Sequence, residues 1–238
     1  MSASDRRIAL VTGASRGIGR AVALELARGG WRVVCVARAQ KALEALDDEI
    51  KTEGKGEATL VPLDLSDYPA IDRLAAALYE RFGKLDGLAS CAGALGALTP
   101  AHQATPAIME ETTAINYLAN QRLIRAMHPL LRVSDAGRAV FITSGASRNP
   151  RAYWAPYAAS KAALDALVTC WAAELEVTPI KANLFNPGPA RTAMRAKAFP
   201  GEDPLTLPTP EEIAPAIVEM LQPSYTENGA WVQWQRPG

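Results

Sequence analysis

Three side chains in this sequence have the types and spacing to move a proton to or from a carbonyl oxygen. Tyr157 and Lys161 stand four residues apart in PYAASK, and Ser144 lies thirteen residues before the tyrosine in FITSG. A phenol with a pKa of about 10 is a poor base at neutral pH. A cation within a few ångströms stabilises the phenolate and changes that. A serine hydroxyl can polarise the same carbonyl from its other side. In a helix the spacing puts Tyr157 and Lys161 on one face. Pro156 sets where that helix begins, because proline suits the first helical position and disfavours helical geometry just before it. Tyr153 and Trp154 are then expected in the preceding loop, as walls of a substrate pocket. The pair alone decides nothing, since six tyrosines make a chance Tyr-x-x-x-Lys match unremarkable.

The elements that must position these residues alternate along the chain. Strand candidates are RIALVT (7–12), RVVCVA (32–37), ATLVPL (58–63), DGLASC (86–91), RAVFIT (138–143), IKANLF (180–185) and GAWVQW (229–234). Amphipathic segments such as ALEALDDEIKTEG and YPAIDRLAAALYERFG separate them. Nearly continuous apolar strands between helices predict a buried parallel sheet with helices on both faces. The expected fold is α/β, one doubly wound Rossmann-type domain over residues 1–238 with seven parallel strands. Its ligand site belongs beyond the C-terminal strand ends. The proline-rich stretch 186–213 interrupts the rhythm above that edge, and about 189–209 is expected to be a substrate lid.

The first strand runs into VTGASRGIGRAVALEL, with glycines at Gly13, Gly17 and Gly19. The spacing is not G-x-G-x-x-G, but the physical needs are the same. Gly13 permits the turn, Gly17 admits a pyrophosphate close to the backbone, and Gly19 packs helix on strand. After the second strand no carboxylate waits for a ribose 2′-hydroxyl. Arg38 follows it immediately and Arg16 sits in the glycine loop, which predicts NADP(H) in preference to NAD(H).

TGASRGIG (12–19), CAG (91–93), Asn116, Ser144, YAASK (157–161) and NPGPART (186–192) occur in this order. The set resembles the short-chain dehydrogenase/reductase family in its single-domain form, over essentially the whole chain. The resemblance implies an oxidoreductase that interconverts a carbonyl and a secondary alcohol. Tyr157 would be the general acid/base, Lys161 would hold the nicotinamide ribose and lower the tyrosine pKa, and Ser144 would bind the substrate oxygen. Asn116 would position a water in a proton relay. Ser15 and Ile18 would join the glycines around the cofactor, with Asp64 and Leu65 at the adenine. Cys91, Ala92 and Gly93 would lie beside the cofactor, and Pro187, Gly188 and Thr192 would frame the nicotinamide. One departure is that the family usually has Asn-Ala-Gly where this chain has Cys91-Ala92-Gly93, and a thiol cannot reproduce an amide's donors and acceptor. The runs TAMRAKAFPGEDP and RPG resemble a bacterial subgroup of the family, which supplies no substrate. Leu95, Tyr153, Trp154, Met194 and Phe199 are the pocket candidates and suggest an apolar or aromatic-lined cavity.

Composition limits the alternatives. With 25 basic and 25 acidic residues the net charge is zero. That gives no electrostatic footprint for nucleic acid or an anionic membrane. Cys35, Cys91 and Cys170 lie far apart in apolar surroundings and are expected as reduced interior thiols of a cytoplasmic protein. His102 and His128 have no partners at ligand spacing, so no metal is expected. After Lys161 the helix continues AALDALVTCWAAEL with Asp165 the only charge before Glu174. A helix apolar on nearly every side predicts a homodimer or homotetramer packed through it. The competing reading is a non-catalytic NADP-binding sensor, against which an intact Ser144, Tyr157 and Lys161 argue.

Overall fold

The structure, a computed structural model, describes residues 6–53 and 55–236. Gly54, which closes the second predicted helical segment, and the chain ends, including the last two residues of RPG, lie outside them.

The chain order begins β1 (Ile8–Thr12), α1 (Gly17–Arg28), β2 (Arg32–Ala37), α2 (Gln40–Glu53), β3 (Glu57–Pro62), α3 (Tyr68–Phe82) and β4 (Gly87–Ser90). Then come α4 (Pro106–Thr113), a π-helical turn (Ala114–Leu118), α5 (Ala119–Val133), β5 (Arg138–Ile142) and α6 (Ala155–Glu174). β6 (Lys181–Asn186), α7 (Ala193–Ala198), α8 (Pro210–Met220) and β7 (Trp231–Gln233) complete it. All seven predicted strands are present, each within two residues of its expected bounds. α6 includes Pro156 in its first turn, as the proline rule requires.

The strands form one sheet of order β3-β2-β1-β4-β5-β6-β7, parallel at every pairing. This is the doubly wound Rossmann-type arrangement, with its switch point between β1 and β4. Successive residues of a strand face opposite sides, and both sides of this sheet are covered. Ile8 and Leu10 of β1 pack with α3, α5 and α6 residues such as Leu78, Leu123 and Leu164. Ala9 and Val11 pack with α1, α2 and α8 residues such as Val22, Leu46 and Ile217.

Local signals set the helix ends. Asp67 caps α3 by accepting the Ala70 N–H at 3.1 Å, and Gly83 ends it at φ 72°. Thr209 and Glu212 form a capping box at α8. In the proline-rich stretch, α7 starts from Thr192, whose hydroxyl accepts the Arg195 N–H at 3.2 Å. Arg191 holds the same stretch folded by donating to the Pro204 carbonyl at 2.7 Å and the Leu207 carbonyl at 3.2 Å. No described helix is long and apolar enough to cross a membrane.

Candidate active site

The loops at the C-terminal strand ends enclose a cleft of about 1340 Å³. Its cofactor end is built on α1. The residue before the helix, Arg16, is extended and its side chain makes no cap. The first-turn N–H groups, which lack intrahelical partners, therefore face the cleft with the helix's partial positive charge. Gly17 adopts φ +57°, which a side chain would strain, and a Cβ there would lie 3.5 Å from Thr192 across the cleft. The loops after β1 and β4 nearly touch. Thr12 Oγ1 accepts the N–H groups of Cys91 and Ala92 at 3.1 and 3.2 Å. This narrow cradle with free N–H donors suits a pyrophosphate. Arg16 and Arg38 stand exposed at its rim, with Arg38 3.7 Å from Asp64. Asp64 is held below the usual carboxylate range by the Ser66 N–H, then the Ser66 hydroxyl, with Arg38 adding to the effect.

At the other end lie the three residues singled out for proton transfer. Tyr157 is 7% exposed and Lys161 3%. The Lys161 Nζ lies 5.9 Å from the Tyr157 ring centroid and donates to the Ile142 carbonyl at 2.7 Å. Burial pushes the Tyr157 hydroxyl up from its ordinary value, and the nearby Ser144 hydroxyl pulls it back. Burial lowers Lys161 to about 8, against the opposing pull of Asp165 and Cys91. The Ser144 oxygen accepts the Ala146 N–H at 3.2 Å, which leaves its hydrogen available to the cleft. Trp154 packs edge-on to Tyr157 and against Phe199, with centroids 5.8 and 5.7 Å apart. Lys197 crosses from α7 to the Gly96 carbonyl at 3.1 Å, closing this end.

Nearly every residue expected at the site lines this one cleft. Two do not. Tyr153 is 59% exposed, and the correction has a backbone cause. Its φ of 72° reverses the chain for one residue and turns the ring to solvent. Its carbonyl meanwhile accepts the Thr99 N–H at 2.9 Å. Asn116 is fully buried in the π-helical turn. Its Oδ1 accepts the Ala94 N–H, and its Nδ2 donates to the Ala94 carbonyl and Ser160 Oγ, at 2.8, 2.8 and 2.9 Å. One amide hydrogen holds the loop after β4 and the other ties the turn to α6 through Ser160. Cys170 is also corrected, being exposed on α6 rather than interior.

The buried network beneath this loop was not anticipated. Ser90 Oγ donates to Asn120 Oδ1 at 2.5 Å, and Asn120 Nδ2 donates to the Asn116 carbonyl at 2.9 Å. A buried amide thus stands at Asn120 while position 91 carries a thiol. Burial pushes the Cys91 thiol up to about 12, which favours its protonated form beside the cofactor space. The only sequence signal was that Asn120 lies one turn after Asn116.

Known proteins share this fold. The family model described as short chain dehydrogenase matches residues 7–203. The uncharacterized oxidoreductase YciK of Escherichia coli K12 is 39% identical over 217 residues, 90% of this chain and 86% of that protein. A short chain dehydrogenase from Shigella flexneri, solved in complex with NADP, has a TM-score of 0.89 at 37% identity, covering 95% of this chain and 96% of that one. One from Escherichia coli CFT073, solved with NADPH, gives 0.89 at 36% identity over 95% of both chains. These likenesses extend over most of the chain, and the chain belongs to the short-chain dehydrogenase/reductase family of nicotinamide-dependent oxidoreductases.

Proposed function

We propose that the protein is an NADP(H)-dependent carbonyl reductase or secondary-alcohol dehydrogenase, with residues 1–238 as one nucleotide-binding domain. The observation that carries this reading is the buried Tyr157–Lys161 pair, with Ser144 beside it, in the same cleft as the uncapped start of α1. When bound, the reduced nicotinamide supplies the hydride. Tyr157 gives its proton to the carbonyl oxygen as the carbonyl carbon is reduced, and the reverse reaction returns it. Ser144 donates to the same oxygen and polarises it. Lys161 has two further N–H donors besides the one bonded to Ile142, enough to hold ribose hydroxyls while its charge stabilises the phenolate. Asn116 acts by fixing Ala94, in the loop after β4, to α6 through Ser160. Leu95, Trp154, Met194 and Phe199 form the apolar wall against which the substrate lies, beneath 189–209 as lid.

Arg38 and Arg16 support NADP(H), the form found in the Shigella and Escherichia structures. Replacing Arg38 with alanine is expected to weaken NADPH binding by about tenfold or more, the worth of a charge-assisted hydrogen bond, and to leave NADH binding unchanged. Fluorescence titration with both cofactors checks this, and unchanged NADPH affinity would count against the assignment. Reduction of a panel of ketones with NADPH tests the reaction itself.

The helix α6 also presents Ala159, Ala162, Ala166, Cys170 and Ala173 at its exposed surface. A second copy packed there would return Cys170 to an interior, as a cytoplasmic homodimer or homotetramer requires. Sedimentation velocity is expected to show no monomer-only distribution at micromolar concentration.

A further inference from the structure

Asp165 is the lone charge in the long apolar run that follows Lys161, and it does not sit on the surface as a solvated charge. It lies two helical turns beyond Tyr157 on α6, directed at the loop that carries Ser144. Its Oδ1 accepts a hydrogen bond from the Thr143 hydroxyl. Its Oδ2 accepts from Ser147 Oγ at 2.6 Å and from Trp231 Nε1 at 3.0 Å. No basic side chain pairs with it among the described residues. Its two oxygens therefore grip the residue before Ser144 and the residue three after it. The Ser147 hydroxyl is also 2.8 Å from the Ser144 carbonyl, but its single hydrogen goes to the carboxylate, the stronger acceptor. The Ser147 N–H completes the brace by donating to that carbonyl at 3.0 Å. From the far side, Arg148 lies 4.0 Å over the Trp231 ring, so the loop is held at both ends.

We propose that Asp165 is the positioning residue for Ser144, fixing the serine hydroxyl beside Tyr157 by clamping Thr143 and Ser147. The proposal rests on the reading of Ser144 and Tyr157 given above, and it adds a residue that touches neither substrate nor cofactor. The Ser144 oxygen accepts the Ala146 N–H and its hydroxyl neighbours Tyr157, so its place in the cleft is set by the loop that carries it. The clamp supplies that constraint. A carboxylate suits the task because it accepts on both oxygens at once, whereas an asparagine would turn an NH₂ towards one of the hydroxyls.

The test needs no substrate, so it stands apart from whether any carbonyl is turned over. The full chain is labelled with ¹³C at the tyrosine ring carbon bearing oxygen, and the Tyr157 signal is identified by its absence in Tyr157→Phe. At neutral pH, Ser144→Ala is expected to displace that signal by removing its hydroxyl neighbour. Asp165→Asn is expected to displace it in the same direction, and to add nothing once Ser144 is already alanine. Such non-additivity is the mark of two residues acting through one contact. Thr143→Val and Ser147→Ala each open one arm of the clamp while keeping the carboxylate, and each is expected to give a partial displacement. They provide the same test should Asp165→Asn fail to fold. The proposal is overturned if the folded Asp165→Asn protein keeps the parent signal, if its displacement is undiminished in the Ser144→Ala background, or if neither clamp-arm variant moves the signal.

Discussion

Tyr157→Phe is expected to bind NADPH as the parent does and to lose turnover by about 10²- to 10⁴-fold, the usual worth of a positioned acid/base. Only one oxygen is removed. The ring keeps its edge-on contact with Trp154 and its place near Lys161. The loss should therefore fall on kcat and kcat/KM together, since the proton is needed in the transition state and not for binding. The rate of NADPH oxidation with any ketone found active in the panel measures it. Two findings separate the effect from damage to the fold, namely an unchanged melting temperature and an unchanged cofactor titration. Turnover equal to the parent's would remove Tyr157 from the mechanism, whatever the neighbouring residues do.

The second large effect is expected at Gly19. A Cβ there would stand 2.4 Å from the Gly13 carbonyl oxygen, 2.7 Å from its carbon and 2.9 Å from the Thr12 oxygen. All three are backbone atoms at the end of β1, so none can swing aside as a flexible side chain would. Gly19→Ala must push α1 away from the strand, moving the N–H groups that face the cleft. Overpacking of this kind costs about 1–3 kcal/mol, which for a chain of this size lowers Tm by roughly 2–4 °C per kcal/mol. Cofactor affinity should fall with it. Gly201→Ala is the matched control, because a Cβ there meets nothing within 4 Å, and it should leave both quantities unchanged. Melting curves with and without NADPH read both effects, and a Gly19→Ala protein stabilised by NADPH as strongly as the parent would refute the close-packing argument.

The readable part of this protein was the part written in local or periodic signals. β1 and β5 are short apolar runs with both faces buried, and such runs announce a parallel sheet. Gly13, Gly17 and Gly19 are legible because only a tight turn and a close helix need them there. Tyr157 and Lys161 are legible because a helix converts four positions into one face, and Pro156 marks where that helix starts. What escaped depends on single backbone angles or on distant partners. Nothing beside Tyr153 signals the φ of 72° that sends its ring outward while Trp154, the next residue, lines the cleft. Asn120 acquires its role from Ser90, thirty residues earlier, and Asp165 from Thr143 and Ser147 in the loop after β5 and from Trp231 in β7. In the sequence Asp165 is only an interruption in an apolar helix, because a carboxylate's partners become visible only when the sheet has assembled.

The pairing of β1 with β4 has a consequence for how the chain reaches its working state. Thr12 lies opposite Ser90, and through Thr12 the loops that meet at the cleft floor are tied together. Closing so long a segment costs chain entropy before any contact repays it, which makes such pairings slow steps in folding. A chain in which the strands before and after this junction have each formed, but have not yet met, has no cleft floor and nothing for a dinucleotide to grip. The cofactor therefore binds only the completed sheet, and a ligand that binds only the native state shifts the folding equilibrium towards it. A cell rich in the cofactor would hold more of this chain folded.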